Sequence, residues 1–167
     1  MTLPVSVVLH QVRSLYNVGS FFRTADGAGV REVVLSGITA RPPRKEIAKT
    51  ALGAEDSVPW EYEADGTDAL RRLAADGYQL VAVETAPDAV DLFEWTPRWP
   101  VCLVFGHEVV GVSPSLAPHV DTVIRIPMLG HKRSLNVATA AGVVLYELLR
   151  RRLYLTSSPP PGTPRSR

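Results

Sequence analysis

The sequence predicts an α/β fold in which a mostly parallel sheet is covered by helices on both faces. Short apolar runs rich in Val, Ile and Leu alternate along the chain with segments of helical period. The runs are apolar almost throughout, as strands buried on both faces are. At 167 residues the chain can bury one substantial core and is too short for two ordinary domains. A single domain is therefore expected over residues 1–155, followed by a tail over 156–167.

"VSVVLHQ" (5–11) reads as the first buried strand. A helix is expected to begin near Asn17, a good N-cap, and to stop at Gly29. "REVVLSG" (31–37) is a second strand, followed by the loop "ITARPPR" and a short helix in "KEIAKTALGA". "SVPWEYE" reads as a further strand, and "DGTDALRRLAADG" as a helix ending at Gly77. "YQLVAVET" (78–85), "PVCLVFG" (100–106) and "DTVIRIP" (121–127) complete the sheet. Between the last two, "SPSLAPHV" offers Ser at N-cap and Pro at N1 and predicts a helix. The longest helix is expected in "SLNVATAAGVVLYELLRRRL" (134–153). Its Val137–Val144 half is apolar nearly all round and rich in Ala and Gly, so it packs tightly on the sheet or mediates a dimer. "RRR" (150–152) reads as a solvated cationic end that complements the helix dipole. The tail "TSSPPPGTPRSR" has too much Pro, Ser and Gly to pack and is expected to be disordered.

An apolar content of 46% with 21% charged residues fits a globular protein, and no apolar run reaches the roughly 18 residues that span a bilayer. The N-terminus lacks the basic region and cleavage site of a signal peptide. Cys102 is the lone cysteine and sits in an apolar run, which fits a small buried hydrophobe in a reducing cytoplasm. A net charge of +1 excludes a chain coated in positive charge, so a nucleic-acid partner would need local patches. Two exist: Arg41, Arg44, Lys45 and Lys49 in one, and His131, Lys132 and Arg133 in the other.

Open α/β sheets bind ligands beyond the carboxyl ends of their strands, and three segments stand at such ends. In "NVGSFFRTADGAG", Arg23 falls beside Phe21, Phe22, Ala25 and Ala28 and reads as a charge on the inward face of a helix. It either pairs with Asp26 at i, i+3 or serves a function. No dinucleotide or phosphate-loop fingerprint is present. In "LVFGHEVVGVS" (103–113) a strand ends at Gly106, which permits close backbone approach, and Glu108 follows at once. His107 reads as an exposed loop residue, and the histidines form no metal-ligand spacing. In "IRIPMLGHKRSLNVATAAG" (124–142), Pro127 and Gly130 shape a loop whose Met128 and Leu129 either plug the core or serve a site beside Ser134, Leu135 and Asn136. Ser134 is expected to cap the helix that follows, where backbone N–H groups are free.

Together and in this order, the three segments resemble motifs 1, 2 and 3 of the SpoU (TrmH-like) family of RNA methyltransferases in the SPOUT superfamily. The match is carried by Asn17, Gly19 and Arg23; by Phe105, Gly106, Glu108, Gly111 and Ser113; and by the run Ile126, Pro127, Met128, Gly130, Ser134, Leu135, Asn136 and Val137. "AKTALGAE" (48–55) resembles a further segment common in these proteins, and the likeness covers nearly all of residues 3–153.

The resemblance implies a C-terminal segment threaded into a deep trefoil knot, and a homodimer with the active site near the subunit interface. It implies transfer of a methyl group from S-adenosylmethionine to a ribose 2′-OH of RNA, with no metal. tRNA is favoured because the chain reads as a catalytic domain with no RNA-binding domain before it. Ribosomal RNA is the alternative, and a non-catalytic RNA- or S-adenosylmethionine-binding module is the reading from a different class. By similarity, the cofactor lies against Thr85, Gly106, Ile126, Met128, Ser134 and Leu135. The catalytic set is Arg23, Asn17, Glu108, Ser134 and Asn136, with Glu108 and Asn136 organising the loops and Arg23. A free guanidinium stays protonated to about pH 12, so Arg is a poor base. Arg23 is therefore expected to grip the phosphate beside the target ribose and to stabilise developing oxyanion charge. Arg41, Arg44, Lys45, Lys49, Lys132 and Arg133 are the expected RNA contacts.

Overall fold

The computed structural model describes residues 1–157, with side chains to 154. Its strands are β1 (Leu3–His10), β2 (Val30–Ser36), β3 (Trp60–Glu63), β4 (Gln79–Val83), β5 (Val90–Asp91), β6 (Val101–Phe105) and β7 (Thr122–Arg125). Its helices are α1 (Leu15–Ala28), α2 (Lys45–Ala51), α3 (Ala54–Ser57), α4 (Gly66–Ala75) and α5 (Val137–Ser157). The sheet has seven strands in the order β3-β2-β1-β6-β4-β7-β5, and every ladder between them is parallel. The expected fold class therefore holds, and so does the prediction of two covered faces. Alternate residues of β1 enter separate cores: Leu3, Val5, Val7 and Leu9 pack toward α1 and α5, whereas Val8 packs toward α4 with Leu70, Leu73 and Cys102. Burial pushes the Cys102 thiol up, which leaves it an inert apolar filler.

Four local expectations need correction. First, the cap of α1 is Ser14, whose hydroxyl accepts from the Asn17 amide at 3.2 Å. Asn17 thus lies within the first turn and its side chain stays free for longer-range contacts. The stop at Gly29 stands, with φ 71° in the left-handed region. Second, "SPSLAPHV" forms only a short 3₁₀ turn over Ala117–His119. Pro118 cannot donate to an α-helical ladder and disfavours helical backbone before it. Third, α5 begins at Val137, and its cap is Asn136 rather than Ser134: the Asn136 Oδ1 accepts from Ala138 N at 2.9 Å and Thr139 N at 3.3 Å. The helix runs on to Ser157, past the expected start of the tail. The remainder of that tail lies outside the described residues. Fourth, β5 was not expected from the sequence, because two residues carry too short a pattern to register.

The "RRR" expectation also fails in part. Arg151 is not solvated: it bonds the carbonyl of Trp95, donates to the Leu92 carbonyl at 2.8 Å, and pairs with Glu147 at 2.7 Å. It fastens α5 to the loop after β5. No described helix is long and apolar enough to cross a membrane.

Candidate active site

Because the strands are parallel, β1, β6, β4 and β7 all end at one edge of the sheet, and the loops after them emerge side by side. β2 and β3 extend from β1 on one side while β6 and β4 lie on the other, so this edge is a topological switch point.

A hydrogen-bonded relay joins the three sequence motifs there. The Glu108 carboxylate, on the loop after β6, accepts from Arg13 N at 3.0 Å with each oxygen and from Ser14 N at 2.9 Å. It also accepts from Asn17 Nδ2 at 3.3 Å. Burial alone would raise this carboxyl, but the Ser14 and Arg13 amides and the Asn17 side chain outweigh it and hold Glu108 below the ordinary value. Asn17 accepts in turn from Asn136 Nδ2 at 3.3 Å, and Asn136 caps α5. The carboxylate fixes which way the Asn17 amide points, since only the NH₂ end can face it. Glu108 and Asn136, expected to organise the loops and Arg23, thus both bond Asn17, and neither bonds Arg23 among the described residues.

Beside the relay lies a cleft of about 280 Å³. Thr85, Gly106, Ile126, Met128, Ser134 and Leu135, the six residues expected around a cofactor, all line it. Its size falls just below the roughly 300–1,000 Å³ usual for ligand pockets. Gly106 is needed for close approach: a Cβ there would run into the backbone of Gly111, which pairs with His107 to close a tight turn. His107 stabilises that turn, its Nδ1 accepting from Val109 N at 3.0 Å and Val110 N at 3.2 Å. Ser134 lies on the exposed rim, and among the described residues its hydroxyl makes no hydrogen bond. Met128 is half-buried in the cleft wall. Of the two alternatives for Leu129, plugging the core is excluded, because it is fully exposed.

Arg23 is likewise not where its neighbours in sequence suggested. Phe21, Phe22 and Ala25 point into the core, whereas Arg23 is exposed on the outer face of α1. A residue one or two positions from a core residue is turned 100–200° away from it on a helix, which removes the burial cost. No ion pair with Asp26 forms; Asp26 takes the Ser57 hydroxyl at 2.9 Å instead. Six residues beyond Asn17, Arg23 lies roughly 9 Å further along the axis. It lines a separate open hollow with Leu52, Gly53 and Ala54, which belong to the "AKTALGAE" segment. Gly19, in the same motif, serves packing: a Cβ there would strike Thr50 and the Ile47 carbonyl of α2.

Of the basic residues, Arg41 stacks over the Tyr62 ring at 4.2 Å, Lys49 lies 5.9 Å above the Tyr16 ring, and Arg44 approaches Glu46 at 3.8 Å. Lys45, Lys132 and Arg133 are exposed. Glu84 is a site residue that the sequence did not single out; its position at the end of β4 was the available signal. Glu84 lines the cleft and accepts from Val112 N at 3.1 Å. Among the described residues, no group of three His, Cys, Asp or Glu could hold a metal ion.

The SpoU rRNA Methylase family model matches residues 4–146. A 23S rRNA (guanosine-2'-O-)-methyltransferase from Burkholderia sp. is 36% identical over 151 residues, 90% of this chain and 60% of that protein. The chain thus spans about three-fifths of that curated relative. An AdoMet-bound rRNA methyltransferase from Sinorhizobium meliloti superposes with a TM-score of 0.82 at 32% identity, covering 92% of this chain and 61% of that one. A structure solved to explain the 2-OH methylation of C/U34 on tRNA superposes with a TM-score of 0.79 at 26% identity, covering 90% of this chain and 97% of that one.

Proposed function

The chain belongs to the SpoU rRNA methylase family, and from that premise we propose that it transfers a methyl group from S-adenosylmethionine to a ribose 2′-OH of RNA. The observation that carries the reading is the Glu108–Asn17–Asn136 relay, which ties the ends of β1 and β6 to the start of α5 at the rim of the cleft. A plain strand-to-helix turn needs no such long-range bonds.

S-adenosylmethionine fits the residues present. Ile126, Met128 and Leu135 give apolar surface for a flat ring, and the turn at Gly106 to Gly111 brings backbone polar groups to the same wall. When bound, the cofactor supplies an electrophilic methyl group, so the protein has to bind, orient and assist loss of the hydroxyl proton. In this reading Asn17, Glu108 and Asn136 hold the loops in register, and Ser134 meets the ligands from the rim. Arg23 grips the phosphate beside the target ribose and stabilises negative charge on the 2′ oxygen. Its distance from the relay within one chain supports the homodimer implied by the resemblance, in which a second copy completes the site. The half-buried Ala138, Ala140 and Gly142 of α5 leave surface for a close backbone contact. Threading of the C-terminal segment into a trefoil knot, and a cytoplasmic setting, go with the same reading.

A tRNA substrate is one reading, supported by the structural neighbour solved for tRNA methylation, which superposes with a TM-score of 0.79. Ribosomal RNA is the second reading, supported by the Burkholderia relative. Incubating the protein with bulk tRNA, bulk rRNA and labelled S-adenosylmethionine, then mapping nucleosides, tests both. Label should appear as a 2′-O-methylated nucleoside, and label in neither pool would sink the proposal.

A further inference from the structure

Glu84 is a carboxylate on the cleft wall that takes no part in the Glu108–Asn17–Asn136 relay. It stands immediately after β4, half-buried, and its backbone is fixed by donation to the Ile124 carbonyl at 3.0 Å. One side-chain oxygen, Oε1, accepts from Val112 N at 3.1 Å. Gly111, at φ 82°, lies against this carboxylate so closely that a Cβ would strike it. The turn after β6 is therefore shaped around Glu84, and the carboxylate is held rigidly. Its second oxygen, Oε2, takes no hydrogen bond within the described residues.

The other charged groups on this wall are already engaged. Glu108 is used by the Arg13 and Ser14 amides, and the Arg125 guanidinium turns to the Pro87 carbonyl at 3.4 Å. A carboxylate oxygen with no protein donor, on a residue that lines a ligand cleft, is an acceptor available to a ligand's donor, and leaving it unmet on binding would be costly.

Resting on the methyl-transfer reading above, we propose that Glu84 is a cofactor-binding residue whose Oε2 accepts from the ribose hydroxyls of the adenosyl group. Position supports this. A carboxylate at the carboxyl end of a parallel strand is well placed for a vicinal diol, while an adenine ring suits the apolar side formed by Ile126, Met128 and Leu135. Thr85, the next residue, lines the same wall.

Calorimetric titration tests this without turnover. Wild type, Glu84→Gln and Glu84→Ala are titrated with S-adenosylmethionine, S-adenosylhomocysteine, 5′-methylthioadenosine and its 2′-deoxy analogue. Glu84→Gln keeps an acceptor for Val112 N, so its fold should survive, whereas Glu84→Ala should loosen the turn; melting curves separate the two effects. Loss of a hydrogen bond to a charged group is expected to weaken the first three ligands about ten- to a hundredfold in Glu84→Gln. The 2′-deoxy analogue should bind wild type weakly and lose little more in the variant. Unchanged affinities overturn the assignment. A loss for S-adenosylmethionine and S-adenosylhomocysteine but not for 5′-methylthioadenosine overturns it in favour of the methionine ammonium. A loss confined to S-adenosylmethionine overturns it in favour of sulfonium attraction. Failure of wild type to bind S-adenosylmethionine at all would instead refute the methyl-transfer reading.

Discussion

Asn136 donates to Asn17 Oδ1 at 3.3 Å across 119 residues of sequence, while its own Oδ1 caps α5. One side chain thus sets where the last helix begins and how the first helix presents its amide. Through Asn17, the Glu108 carboxylate is coupled to both.

Glu108→Gln is expected to break this coupling. A neutral amide offers one acceptor oxygen where the carboxylate serves two backbone amides and the Asn17 side chain. Methyl transfer should fall at least about tenfold, with a stability loss of about 1 kcal/mol once solvent screening is allowed for. Single-turnover kinetics and melting curves check it. A full rate would show that the relay is only structural.

Gly106→Ala should lower cofactor affinity more than it lowers stability. The added methyl meets the Gly111 backbone, which forms the cleft wall and must shift. Overpacking of this kind costs about 1–3 kcal/mol. Calorimetry with S-adenosylmethionine should show weaker binding, and unchanged affinity would contradict the wall assignment.

Arg23→Ala should abolish most methyl transfer and leave cofactor binding intact, because Arg23 lies outside the cleft. Positioned proton transfer alone contributes roughly 10²–10⁴-fold, so a larger loss would implicate phosphate grip as well. Arg23→Lys keeps the charge and loses the bidentate fork. If it retained nearly the full single-turnover rate, bidentate grip would be the wrong explanation.

Acid should weaken the stabilisation that Glu147 provides through Arg150 and Arg151 on α5. Hydrogen bonds from Arg150, against the opposing effect of burial and with Arg151 adding to them, bring the Glu147 carboxyl down from 4.5 to about 2. A carboxyl lowered on folding stabilises the protein above its unfolded value and ceases to do so as pH falls through its folded value. The melting temperature should therefore drop between about pH 4.5 and 2 more steeply in wild type than in Glu147→Gln. Parallel curves would deny Glu147 that role.

Neutralising Lys132 and Arg133 should weaken RNA binding and lower its salt slope by about 0.7–0.9 for each phosphate that they neutralise in the wild type. Cofactor affinity should not move. An unchanged slope would return both residues to a merely solvated role.

The alternation of apolar runs with helical segments was sufficient for the parallel sheet, because a strand buried on both faces must be apolar throughout, as β6 is. The second and third motifs likewise marked the cleft, since residues such as Gly106, Met128 and Ser134 follow strand ends that parallel topology gathers at one edge. Caps are ambiguous in the sequence where two polar residues compete locally: Ser14 against Asn17, and Asn136 against Ser134. Only the tertiary structure decided those cases, because the free side chain in the first pair answers to Glu108, more than ninety residues away. It also decided that Arg23 faces solvent, a matter of helix rotation, and that Glu84 faces the cleft. Sequence order fixes which residues lie at strand ends, whereas the direction in which each side chain points depends on packing partners distant along the chain.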